Sequence, residues 1–109
     1  MGEKWGYYSR RNEKEIQALN MKSYQFQFSS KSEHSFALFS RDIQRRILKK
    51  LTFFENSKNP MLFSKKLQNI EDIFRFRIGD YRVLVTPKNR GILVILLILK
   101  IGHRRDVYE

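Results

Sequence analysis

The residues that could do chemistry begin in the stretch "FRFRIGDYRVLV", residues 74–85. Arg75 and Arg77 alternate with apolar residues, and Arg82 follows a break at Gly79-Asp80. A guanidinium is a permanent cation whose planar fork of donors matches two oxygens of a phosphate or carboxylate. From Arg75 to Arg105 the basic residues are Arg75, Arg77, Arg82, Lys88, Arg90, Lys100, Arg104 and Arg105, and Asp80 is the only acid. The whole chain carries 22 Lys and Arg against 11 Asp and Glu, so the bias in this stretch is local as well as general. Two readings fit: a solvated strand exterior, or arginines that converge on something anionic. His103 adds a side chain that can exchange a proton near neutrality. Tyr108 adds a phenol that can donate a proton or stack on a base. Structural roles stand beside these. Arg82 can pair with Asp80 or Asp106, Tyr108 can pack its ring against a sheet, and His103 can be an ordinary polar residue at a strand end.

These side chains need a scaffold, and hydrophobic periodicity outlines it. "YQFQF" (24–28) alternates with period two and predicts a strand with Tyr24, Phe26 and Phe28 inward. Ser29 or Ser30 caps a helix over 29–39, with Glu33 at the capping-box position relative to Ser30. Ser40 caps a second helix over 41–56, in which Ile43, Ile47, Leu51 and Phe54 share one face. Arg41, Arg45, Arg46, Lys49 and Lys50 lie mostly around the other face, and the tight joint makes the two helices a hairpin. Residues 57–72 read as a connector holding Pro60. Three strands follow at 73–78, 81–86 and 92–101, joined by Gly79-Asp80 and by "PKNRG" (87–91). The expected fold class is α+β: strand–helix–helix–strand–strand–strand, an antiparallel meander with the helical hairpin on one face. Phe74, Phe76 and Ile78 then point to the helices, and Arg75 and Arg77 share the open face. "ILVILLIL" (92–99) has no polar side, so it is either covered on both faces or carries a second apolar stripe awaiting a partner.

A chain of 109 residues suits one domain, and 41% hydrophobic content can supply its core. Residues 1–20 read as a polar extension, mobile or weakly helical, with residues 21–109 as the functional domain. The chain has no cysteine, which excludes a disulfide framework, and its two histidines suggest no metal site. Serine-based catalysis lacks a supporting His/Asp constellation. The net charge of +11 and pI near 10.2 favour a polyanionic partner. Eight apolar residues are too few to span a bilayer, and the amino terminus has no apolar core of a secretory signal. A cytoplasmic protein with no membrane partner is expected.

The "KL" at 66–67, the "FRFRIGDYRVLV" hairpin and the terminal "IGHRRDVY" (101–108) together resemble the RelE branch of the RelE/ParE toxin superfamily. The resemblance spans residues 22–108. It implies a microbial ribonuclease fold and the toxin of a type II toxin–antitoxin system. RelE-type members cut mRNA in the ribosomal A site, without metal or other cofactor, by attack of the ribose 2′-OH on the adjacent phosphate. Carried onto this chain, the catalytic set comprises Arg75, Arg77, Arg82, Arg104 and Tyr108, with Arg105 an alternative register for Arg104. Family members carry lysine at one or both positions matched by Arg75 and Arg77. Arginine does not deprotonate, so these two become electrostatic clamps, and His103 is the candidate base. Lys88, Arg90, Lys100 and Arg105 are expected to bind RNA phosphates. The implied partners are a cognate acidic antitoxin, the ribosome and mRNA. The alternatives are a ParE-like DNA gyrase inhibitor and a catalytically degenerate antitoxin-binding component.

Overall fold

The computed structural model describes residues 22–107. The expected extension 1–20 and Tyr108 therefore lie outside the described residues. Strand β1 (Ser23–Phe28) is followed by helices α1 (Ser30–Ala37) and α2 (Arg41–Glu55). Strands β2 (Ser64–Lys66), β3 (Phe74–Ile78), β4 (Tyr81–Arg90) and β5 (Leu93–His103) complete one sheet, in the order β1-β5-β4-β3-β2. The expected α+β class and element order hold. Most pairs are antiparallel, while β1 runs parallel to β5.

Both helices begin where serine can accept an otherwise unpaired backbone N–H. Ser29 accepts from the Ser32 amide and Ser40 from the Ile43 amide. With Ser29 as cap, Ser32 rather than Glu33 takes the third helical position. Its buried hydroxyl donates to the Ile98 carbonyl at 2.8 Å, tying α1 to β5. Gln44 Nε2 donates to the Phe36 and Phe39 carbonyls, closing the helical hairpin from α2. Ile47, Leu51 and Phe54 of α2 pack on Phe76, Val83, Val85, Leu96 and Ile98 of the sheet.

Three details depart from the periodicity. A 3-10 turn at Pro60–Phe63 and the three-residue β2 occupy the expected connector. "SKK" has no alternation of its own and becomes a strand by pairing with β3. Strand β4 also runs on through the expected turn, to Arg90. Pro87 is tolerated there because β3 pairing ends at Val85, leaving that edge of β4 without a neighbouring strand among the described residues. Finally, a bulge on β5 between Ile98 and Lys100 shifts its phase. Val94, Leu96 and Ile98 are buried, and burial resumes at Ile101. Leu93, Ile95 and Leu97 on the opposite face are only half-buried. The second apolar stripe is thus left uncovered by the described residues.

Candidate functional site: a cationic open sheet face

The helices cover one face of the sheet, and the cross-strand register sorts side chains onto the other. Directly opposed residues share a face. Lys65 opposes Arg75, Arg75 opposes Leu84, and Leu84 opposes Lys100, which makes one row across four strands. The next row is Arg77, Arg82 and Gly102. Farther along β4, Lys88 opposes Ile95 and Arg90 opposes Leu93. Among the described residues, no strand contains an acidic residue.

Like charges placed directly opposite each other destabilise a sheet. This sheet has two such pairs, Lys65 with Arg75 and Arg77 with Arg82. Among the described residues, the side chains of Arg75 and Arg77 make no hydrogen bond or ion pair. The Nε of Arg75 is buried and lacks an acceptor. Such an arrangement costs stability, and an anion would offset that cost.

Arg82 differs from its neighbours. It is 6% exposed, and its Nη1 donates to the carbonyls of Gly79 and Tyr81, each at 2.9 Å. It therefore clamps the β3–β4 hairpin from the open face, through the two backbone carbonyls. Gly79 adopts φ +58°, the left-handed conformation this tight turn requires. The Arg104 amide donates to the Asp80 carbonyl at 2.7 Å, and its Nε lies 3.8 Å from the exposed Asp80 carboxylate. Arg104 thus sits at the hairpin tip, against Asp80. Arg105 is exposed in the same turn. Val107 is buried next to Gly102, so the chain returns to the open face there.

His103 goes to the other side. It opposes Tyr81, and its ring packs edge-on against the Tyr81 ring at 5.7 Å. Tyr81 in turn packs on Phe39 in the helix layer. The His103 Nδ1 accepts the Arg105 backbone N–H. The geometry brings Arg75, Arg77, Arg82 and Lys100 together and separates His103 from them. Lys88 and Arg90 border a separate depression of about 600 Å³ on the same face, lined also by Gln27, Asn89, Ile95 and Leu97. Lys65 is not among the residues the sequence pattern singles out, because "SKK" carries no alternation that marks a strand.

The fold is an α+β domain with one helix-covered and one cationic sheet face. The family model described as "ParE toxin of type II toxin-antitoxin system, parDE" matches residues 27–108. The chain belongs to this family, within the RelE/ParE superfamily, and is a toxin of a type II toxin–antitoxin system. Its fold is similar to that of a chain in the RelBE2 toxin–antitoxin complex of Mycobacterium tuberculosis. That match has a TM-score of 0.62 at 24% identity, covering 79% of this chain and 97% of that one. The archaeal RelE–RelB complex of Pyrococcus horikoshii gives a TM-score of 0.56 at 22% identity, with 78% and 99% covered. A free-state mutant of Escherichia coli toxin RelE gives 0.56 at 16% identity, with 74% and 83% covered. No curated protein sequence matches the chain significantly. Among the described residues, no helix is long and apolar enough to cross a membrane.

Proposed function

We propose that this toxin is a RelE-like endoribonuclease that cuts mRNA on the ribosome. The observation that carries the reading is the two like-charged cross-strand pairs, Lys65–Arg75 and Arg77–Arg82, with no acid on any strand of the described residues. In the reaction, the ribose 2′-oxygen forms a bond to the adjacent phosphorus as the bond to the 5′-oxygen breaks. The products are a 2′,3′-cyclic phosphate and a free 5′-hydroxyl. Negative charge builds on the phosphate oxygens in between, and fixed cations aimed at it lower the barrier. Arg75, Arg77 and Arg82 supply that charge, Arg104 closes the site from the hairpin tip, and Tyr108 donates the proton to the leaving oxygen. No arginine can accept the 2′-hydroxyl proton, and His103 faces the helix layer, so that proton goes to solvent.

The partner in this reading is an acidic antitoxin. Several similar folds were solved as toxin–antitoxin complexes. The half-buried Leu93, Ile95 and Leu97 lie beside Lys88 and Arg90, which suits a segment with apolar anchors and carboxylates.

The ParE family model favours a second reading, DNA gyrase inhibition without RNA cleavage. Induced expression followed by primer extension separates the two. Cuts within translated codons are expected, and they should be lost with Arg82→Ala. Intact message together with DNA damage favours gyrase, and neither effect points to an inactive antitoxin-binding component.

A further inference from the structure

Strand β2 carries two lysines, and the register sends them to opposite faces. Lys66 opposes Phe74 on the helix side, and Lys65 opposes Arg75 on the open side. Both are exposed. A lysine on a sheet edge is often a guard against strand addition. Lys66 meets that need without repulsion, because its opposing residue is apolar. Lys65 is different: it stands against a guanidinium, and among the described residues it has no ion pair or side-chain hydrogen bond.

The row does not stop at Arg75. Leu84 and then Lys100 continue it over the next two strands. Neighbouring strands lie about 4.8 Å apart, so the row extends roughly 14 Å from β2 to β5. Leu84 is 8% exposed, an apolar floor between two cations. Arg77 and Arg82 form the adjoining row, one step toward the hairpin tip. A polyanion laid across the strands would therefore meet Lys65, Arg75 and Lys100 in turn, with the second row flanking its middle.

Resting on the ribonuclease reading, we propose that RNA crosses the open face along the Lys65–Arg75–Lys100 row. Lys65 holds a backbone phosphate outside the scissile one, and is a substrate-binding rather than a catalytic residue. The contact is electrostatic and independent of base sequence.

The test uses the full chain and a single-stranded RNA oligonucleotide with 2′-O-methyl groups throughout, which cannot be cut by 2′-hydroxyl attack. Affinity is measured across a range of salt. Lys65→Ala should weaken binding and lower the slope of log affinity against log salt by about 0.7, the value for one phosphate contact on a single strand. Lys65→Arg should restore the slope. Lys66→Ala removes the same net charge from the other face and should leave the slope unchanged. Equal losses for Lys65→Ala and Lys66→Ala would reduce the effect to net charge and overturn the proposal. An unchanged slope for Lys65→Ala beside a reduced one for Arg75→Met would overturn it for Lys65 alone. Binding with the expected Lys65 dependence but no cleavage on ribosomes would uphold the contact and remove the nuclease reading.

Discussion

Replacing Arg75 by methionine should make the protein more stable and less active. The side chain is half-buried, opposes Lys65, and its buried Nε lacks an acceptor. Two unit charges about 6 Å apart in water repel by about 0.7 kcal/mol. Cross-strand pairs contribute about 0.2–1 kcal/mol, which brackets that figure. An unsatisfied buried donor adds about 1 kcal/mol or more. Methionine keeps an apolar stem in the same place and removes both penalties, at some loss of packing. A net gain of about 1 kcal/mol is expected, which raises Tm by about 4–8 °C for a domain of this size. Thermal unfolding followed by circular dichroism measures it, at low salt and at 1 M salt. The repulsive part should vanish at 1 M, where the screening length falls to about 3 Å, and the part from the orphaned donor should remain. Cleavage of mRNA on ribosomes should fall about 10²-fold, the loss typical of one preorganised donor. A variant less stable than the wild type at low salt would refute the reasoning, as would a stability difference that salt does not touch.

Arg82→Ala should lower both stability and cleavage, because Arg82 is buried and bonded to the Gly79 and Tyr81 carbonyls. A loss of about 2 kcal/mol is expected in urea unfolding, and an unchanged midpoint would remove its role as hairpin clamp. His103→Gln should leave cleavage within about threefold of wild type, whereas loss of a general base costs about 10²–10⁴. A 10²-fold drop would return His103 to the reaction. Glu55→Ala should free the Phe26 amide, which now donates to the Glu55 carboxylate at 2.7 Å on the outer edge of β1. Light scattering should then detect concentration-dependent association through that edge, and a monodisperse variant as stable as wild type would contradict this.

Local pattern carried much of the architecture. The alternation in "YQFQF" and "FRFRI" marked β1 and β3 and the inward sides of both. The spacing of Ile43, Ile47, Leu51 and Phe54 marked the buried stripe of α2, and Ser40 its start. Period two alone placed Arg75 and Arg77 on one face, and the terminal motif tied the chain to its superfamily. Pairing between distant strands decided the rest, because register is a property of two segments and not of one. β2 exists only against β3, so Lys65 became visible as a neighbour of Arg75 only in the sheet. The bulge on β5 is a similar case: an unbroken apolar run gives no sign of where its phase slips. Whether His103 faced the arginines or the helices depended on that slip and on its pairing with Tyr81. The double use of Arg82, as a cation on the open face and as a clamp on the carbonyls of its own hairpin, required the folded turn around Gly79.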